Sequence, residues 1–196
     1  MVNDRTPGAR MSRMSRVVLI RHGRTVLNAE GRIRGLADPE LDEAGVAQAR
    51  AAGEALRDAG ITRVITSPLK RAVATGRAIA ETVGVTDVQV DEGLNDRDYG
   101  EWTGQLRADV VERWGSIDDA PGVEPRETVR DRALRALDAQ ADRAEGPLLV
   151  VSHDAVIRPL LAAFDPTLTP QVDTGSWVVL TRSDTGWVVE SVDNHP

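Results

Sequence analysis

Two histidines follow short apolar segments and could perform phosphate chemistry. His22 comes after residues 17–20 and Arg21, and His153 follows residues 147–151 by two positions. Each segment predicts a buried strand, because four or five consecutive apolar residues, mostly β-branched in the first segment, match a strand covered on both faces. A neutral imidazole is a competent nucleophile toward phosphorus, and transfer through a phosphohistidine would be covalent catalysis. We therefore expect His22 to act as a nucleophile at the end of the first strand.

Arginines and the start of a predicted helix could bind the phosphoryl group. Arg71 follows a predicted strand at residues 64–66, and Ser67 and Pro68 predict an N-cap and a first helical position just before it. Arginine binds phosphate oxygens through its planar fork, and a helix N-terminus adds backbone donors. Because the carboxyl ends of parallel strands meet at one edge of a sheet, we expect Arg21, Arg71 and both histidines to converge there.

A carboxylic acid is needed to protonate the departing alkoxide. Asp96 lies in an irregular segment at residues 91–104, and Asp154 directly follows His153. Asp154 has a second interpretation, because aspartate readily caps a helix and one is predicted to begin at Ala155. Both aspartates are candidates for the acid on these grounds.

The rest of the chain alternates between predicted strands and helices. This order predicts a three-layer α/β fold with a mainly parallel central sheet and helices on both faces. A terminal hairpin adds an antiparallel edge. The predicted elements are an extended loop at 25–40, a helix from an Asp42 N-cap to about 57, a strand at 85–90, helices at 110–114, 127–145 and 155–164, and hairpin strands at 177–180 and 187–189.

Length and composition restrict the class of protein. The chain has 196 residues with 41% hydrophobic content, which suits one domain, predicted at residues 17–192 after a disordered extension at 1–16. The net charge of −7 argues against a nucleic-acid or anionic-membrane partner, so an anion site requires local arginines. The absence of cysteine excludes thiolate chemistry and disulfides. No apolar run has the length of a membrane span or signal core, which predicts a cytoplasmic protein.

Five blocks in the same order resemble the histidine phosphatase superfamily, also called the phosphoglycerate mutase-like family. Agreement of several ordered blocks is far more specific than any one motif. The resemblance covers about residues 17–180 and implies a phosphoglycerate mutase-like fold. The blocks are Arg21-His22-Gly23 with Thr25 and Asn28; Arg34-Gly35 with Asp38, Leu41 and Gly45; Ser67-Pro68-Leu69-Lys70-Arg71-Ala72 with Thr75; residues 94–104; and Val151-Ser152-His153.

The resemblance implies roles for the individual site residues. It makes His22 the phosphorylated histidine, with Arg21, Arg71 and His153 binding the phosphoryl group. Asn28 is implied to contact the phosphoryl group as well. The sequence therefore predicts a catalytic set drawn from several distant segments.

The proton donor departs from the family pattern. The family's acid is usually glutamate where this chain has Asp96, which is shorter by one methylene. A histidine followed directly by aspartate, as at Asp154, resembles the acid-phosphatase and phytase branch, in which that aspartate is the donor. Asp96 is favoured because residues 94–104 match the smaller-enzyme branch, and Asp154 is the alternative. Arg34 and Asp154 are also candidate substrate contacts.

The expected function is a metal-independent phosphatase that hydrolyses a small phosphomonoester without a cofactor. Its expected partner is a small phosphorylated metabolite or phosphate. A mutase is the nearest alternative, and water is favoured as acceptor because members of the mutase branch are generally longer. The residues are also compatible with a non-catalytic binder of phosphorylated ligands and with a metal-dependent hydrolase that uses His22, His153 and a carboxylate. Arginines argue against the metal, because they repel a dication.

Overall fold

The computed structural model describes residues 14–196 and contains six strands in one sheet. The strands and helices alternate as predicted. The strands are β1 (Ser15–Arg21), β2 (Arg63–Thr66), β3 (Val88–Val90), β4 (Leu148–Ser152), β5 (Trp177–Ser183) and β6 (Gly186–Asn194); the helices are α1 (Val26–Ala29), α2 (Glu43–Ala55), α3 (Lys70–Val83), α4 (Arg107–Trp114), α5 (Arg126–Asp142) and α6 (Asp154–Phe164).

The sheet order is β3-β2-β4-β1-β5-β6, and its first four strands are parallel. Strands β5 and β6 run antiparallel and form the predicted hairpin edge. In the register of β1 with β4, Arg21 lies opposite Ser152. The backbone N–H of His22 donates to the carbonyl oxygen of Ser152 at 3.0 Å. The next residue of each strand is therefore a histidine at the same edge of the sheet.

Helices cover both faces of the sheet, which confirms the predicted three layers. Val17 and Leu19 of β1 belong to an apolar cluster formed with α5 and α6. Val18 and Ile20 point to the opposite face and pack in a second cluster with α2 and α3. This alternation follows from the two-residue period of a strand. A third apolar cluster, around Trp102, joins helix α4 and the segments on either side of it to Ile33 in the loop after α1.

The first strand begins two residues before its predicted start. Ser15 and Arg16 pair with Arg182 and Thr181 of β5, so they are part of the sheet and not of an extension. Of the rest of the predicted extension, Met14 is exposed and precedes the strand, and residues 1–13 lie outside the described residues. No helix within the described part of the chain has the length and apolarity needed to cross a bilayer.

Two helix starts differ from the prediction. Helix α3 begins at Lys70 with Leu69 at the N-cap, so the predicted cap at Ser67 was wrong, although Arg71 still lies in the first turn. The Ser67 hydroxyl instead contacts His153. Helix α6 begins at Asp154 with the N-cap position held by His153, so the predicted capping role of Asp154 was wrong too.

The remaining local signals agree with the structure in most places. The predicted cap of α2 is confirmed, since the Asp42 side chain accepts from the backbone N–H of Gly45. Residues 25–40 are mainly a loop, but they include α1, a single helical turn capped by Thr25. Strand β3 is shorter than predicted, because residues 85–87 lie outside the sheet.

Candidate active site

His22 is fully buried and held in one orientation. Its Nδ1 lies 2.7 Å from the carbonyl oxygen of Gly23, which can only accept, so the proton is on Nδ1 and Nε2 carries a lone pair. A Cβ on Gly23 would lie 2.4 Å from the carbonyl oxygen of Gly45, so this turn requires glycine. The N–H of Gly23 donates to Thr75 of α3 at 3.0 Å, which fixes the turn further.

The imidazole of His22 is neutral. Burial lowers its pKa well below 6.5, and the positive charges of Arg71 and Arg21 lower it further. Each of these effects disfavours the protonated ring. Nε2 is therefore available as a nucleophile near neutral pH.

Arg71 of α3 is the largest of the fully buried side chains and lies directly beside His22. Its Nε donates to His22 Nε2 at 3.2 Å. Its two terminal nitrogens donate to the carbonyl oxygens of Ala37 and Gly35 at 2.7 and 2.9 Å, and one of them also donates to Asp96 at 2.8 Å. These partners fix the guanidinium of Arg71, and therefore a positive charge, next to the His22 ring.

His153 faces His22, with ring centroids 5.1 Å apart. Its Nε2 lies 2.7 Å from Ser67 Oγ, and its Nδ1 lies 3.6 Å from Asp96 Oδ2. Burial, followed by the charge of Arg71, lowers the pKa of His153 well below 6.5. The sequence did not indicate Ser67 as a site residue, although its place in the block that contains Arg71 was a signal.

Asp96 completes this group from the loop after β3. Its side chain is 2% exposed, and Oδ1 accepts from the N–H of Arg97 at 2.8 Å. Burial raises the pKa of Asp96, and the charge of Arg71 opposes that rise without cancelling it. Arg132 of α5 holds the loop, because it donates to the carbonyl oxygens of Gly93, Asn95 and Asp96 at 3.1, 2.6 and 2.8 Å. No feature of the sequence indicated this contact.

Asp154 lies at the other side of the site with two arginines. Its Oδ1 is 2.9 Å from Arg34 Nη2 and 3.7 Å from Arg21 Nη2. Arg21 also donates to the carbonyl oxygen of Val172 at 2.8 Å. Burial alone would raise the pKa of Asp154, but the charges of Arg21 and Arg34 outweigh it and hold that pKa well below its usual range. Asp154 is therefore a carboxylate at neutral pH.

Asn28 does not hydrogen-bond to these side chains in the described part of the chain. Its Oδ1 accepts from the backbone N–H and the hydroxyl of Thr25 at 3.1 and 2.8 Å, which forms the cap of α1. The predicted contact of Asn28 with a phosphoryl group stays a prediction.

Three buried nitrogens at the site have no hydrogen-bond partner among residues 14–196: Arg21 Nε, Arg34 Nε and His153 Nδ1. The two arginine nitrogens are donors, and because an unsatisfied buried donor costs about 1–3 kcal/mol, they favour an incoming acceptor. A phosphoryl group supplies several acceptor oxygens with negative charge. Within the same residues, no three His, Asp or Glu side chains are grouped as metal ligands.

The parallel strands with two histidines at one edge, and the arginines that surround them, define the phosphoglycerate mutase-like class of α/β proteins. The chain belongs to the histidine phosphatase superfamily (branch 1), whose family profile matches residues 17–195. This confirms the family that the ordered blocks indicated. Members of the superfamily are phosphatases and mutases.

Relatives of both kinds are similar to this chain. A 2,3-bisphosphoglycerate-dependent phosphoglycerate mutase of Parvibaculum lavamentivorans is 32% identical over 88% of this chain and 93% of its own length. The uncharacterized phosphatase PhoE of Bacillus subtilis is 34% identical over 79% of this chain and 81% of its own length. The structure of a mycobacterial glucosyl-3-phosphoglycerate phosphatase with VO3 is 28% identical, has a TM-score of 0.76, and covers 91% of this chain and 98% of its own.

Proposed function

We propose that this protein is a metal-independent phosphatase that hydrolyses a small phosphomonoester through a phosphohistidine on His22. The observation that carries the proposal is the neutral His22 ring, whose Nδ1–H is bound to Gly23 and whose Nε2 lies 3.2 Å from the Arg71 guanidinium. Such a ring offers its lone pair to phosphorus next to a fixed positive charge. Fixed charges of this kind stabilise the transferring group without reorganisation.

The reaction has two steps. In the first, Nε2 of His22 forms a bond to phosphorus while the bond from phosphorus to the ester oxygen breaks, and Asp96 gives its proton to the departing alkoxide. In the second, water attacks phosphorus, Asp96 takes a proton from that water, and the bond to Nε2 breaks to release phosphate. Arg21, Arg34 and Arg71 bind the phosphoryl oxygens, and His153 donates from Nδ1.

The environments of the two aspartates support Asp96 as the acid. Burial raises the pKa of Asp96, so its carboxyl group keeps a proton to higher pH. Two arginines hold the pKa of Asp154 low, so its carboxylate has no proton to give near neutral pH. When their environments move the pKa values of two carboxyl groups apart in this way, one group can act as an acid while the other stays an anion.

A phosphoglycerate mutase is the second candidate, and the similarity to named mutases favours it. The expectation that mutases are longer does not separate the two functions here, because the match covers 93% of the Parvibaculum mutase. The two functions differ in the acceptor, which is water for a phosphatase and a phosphoglycerate for a mutase. Conversion of 3-phosphoglycerate to 2-phosphoglycerate in the presence of 2,3-bisphosphoglycerate, faster than phosphate release, would establish the mutase.

Trapping the intermediate tests the phosphatase. The protein is mixed with a radiolabelled aryl phosphate and the reaction is quenched rapidly in alkali. The wild type should then carry an acid-labile label at His22. His22→Asn should carry none, whereas His195→Asn, which removes an exposed histidine near the chain end, should label normally. Wild-type hydrolysis without any labelled protein would refute the phosphohistidine.

Two further measurements test the phosphoryl site and the expected independence from metal. Vanadate, which the mycobacterial phosphatase structure contains as VO3, should inhibit competitively, because it resembles a phosphoryl group. Activity should survive EDTA. Loss to the chelator with recovery in zinc or manganese would favour the metal-dependent hydrolase. The expected cytoplasmic location stays a prediction.

A further inference from the structure

We propose that Asp154 is a positioning residue that competes with phosphate for Arg34 and Arg21 and thereby limits how tightly the site binds phosphate. The inference rests on the proposed function, since it concerns the affinity of the same phosphoryl site. It assigns Asp154 a role different from proton donation and from direct substrate contact.

The geometry places one carboxylate on two arginines from distant segments. Asp154 lies in the first turn of α6, Arg21 ends β1, and Arg34 lies in the loop after α1. The 2.9 Å contact of Asp154 with Arg34 is a charge-assisted hydrogen bond, and the 3.7 Å contact with Arg21 is an ion pair. The start of α6 also favours a negative charge through its helix dipole. These contacts keep the carboxylate charged beside the phosphoryl site.

A phosphoryl oxygen can reach the same donor only in competition with Asp154. The side chains of Arg34 and Asp154 are 16% and 26% exposed, so a ligand from solvent can approach them. Arg34 Nη2 already donates to the carboxylate, and an oxyanion that shares this donor is repelled by the like charge. Arg71 differs, because neutral carbonyl oxygens accept from both of its terminal nitrogens, and the carboxyl group that shares one of them, that of Asp96, has a raised pKa.

Weaker phosphate binding has a function in hydrolysis. Phosphate is the product, and slow product release limits turnover in many enzymes. Three arginines in one buried site would otherwise hold a dianion strongly. Asp154 offsets part of this charge and so promotes release of the product.

The same charge acts on the proposed acid. Asp154 raises the pKa of Asp96, so replacing Asp154 with a neutral residue should move the alkaline limb of the kcat profile to lower pH. A residue with only a structural role would not shift that limb. The groups that face Asp96 are Arg71 from α3, His153 after β4, Asp154 from α6, Arg34 from the loop after α1, and the N–H of Arg97 in its own loop.

Calorimetric titration with inorganic phosphate tests the proposal without requiring turnover. We expect Asp154→Asn to bind phosphate at least about tenfold tighter than the wild type, because a unit charge about 4 Å away changes affinity by about fivefold at the dielectric constant of water and by about a thousandfold at an effective value of about 20. Asp184→Asn is the matched control, because it removes the same charge from the exposed β5–β6 turn at the far end of the sheet. It should leave phosphate affinity unchanged.

A double-mutant cycle with Arg34→Gln shows whether the effect passes through Arg34. In the Arg34→Gln background, Asp154→Asn should improve affinity by about threefold or less, because the contested donor is gone. Asp154→Ser removes the charge with a smaller side chain and should act as Asp154→Asn does, which provides a second neutral variant should the first fold poorly.

Each outcome decides the proposal. Unchanged or weaker phosphate binding by a folded neutral variant overturns it, and so does a wild type that does not bind phosphate. Unchanged affinity together with a large loss of kcat on phenyl phosphate would identify Asp154 as the proton donor. Tighter binding in a protein that never hydrolyses an ester would uphold the role of Asp154 and refute the phosphatase.

Discussion

Replacing Asp96 with asparagine should separate proton donation from binding of the phosphoryl group. The amide has nearly the size of the carboxyl group, and its carbonyl oxygen can still accept from Arg71, whose Nη2 lies 2.8 Å from Asp96 Oδ2. Arg71 also keeps its carbonyl partners at Gly35 and Ala37. The variant therefore loses the acidic proton and the acceptor of the Arg97 N–H, and a general acid contributes about 10²–10⁴ in rate.

The size of this effect should depend on the leaving group. Phenolate is a strong base and needs the proton, whereas p-nitrophenolate leaves readily without it. We expect Asp96→Asn to lower kcat on phenyl phosphate by about 10³ and on p-nitrophenyl phosphate by less than about tenfold. Steady-state rates on both esters, with thermal melts to confirm folding, measure the difference.

Equal loss on the two esters would refute the assignment of Asp96, because a displaced Arg71 would slow both. Retention of activity on phenyl phosphate within about threefold would refute it as well, since no general acid would then have been removed. Asp184→Asn provides the charge control in the same assay. The alkaline limb of kcat should be absent in Asp96→Asn if Asp96 is the titrating acid.

Three more perturbations have expected outcomes. Arg71→Met should lower the free energy of unfolding by about 3–5 kcal/mol in urea titrations, because it leaves Asp96 and the carbonyl oxygens of Gly35 and Ala37 without their buried donor. Arg132→Gln should reduce kcat by about tenfold on phenyl phosphate and leave phosphate affinity unchanged. The reason is that Arg132 holds the loop that contains Asp96 and does not contact the proposed phosphoryl site. Because the pKa of Asp154 is lower in the folded state than the ordinary value of 3.8, its ionised carboxylate stabilises the fold above pH 3.8. This contribution is lost as the pH falls from 3.8 through the folded-state pKa. Acid titration should therefore destabilise the wild type more than Asp154→Asn. Equal acid sensitivity of the two proteins would contradict the ion pairs.

The sequence alone determined the alternation of strands and helices and the edge of the sheet at which the histidines lie. The apolar segments before His22 and His153 are local signals, because an unbroken apolar run is what a strand buried on both faces requires. The Asp42 cap is also local, since an N-cap depends on a donor three residues away. Alternation of strands and helices restricts the topology to parallel neighbours, which places Arg21, Arg71 and both histidines together.

Only the tertiary structure decided which polar groups meet. Ser67 contacts His153 across 86 residues, and Arg34 contacts Asp154 across 120, so no local spacing predicts either pair. The roles of the two aspartates depend on such contacts. Burial raises the pKa of Asp96, while two arginines lower that of Asp154. Residue type determines the ordinary pKa of an aspartate, but burial and neighbouring charges, which exist only after folding, determine which of the two can keep a proton.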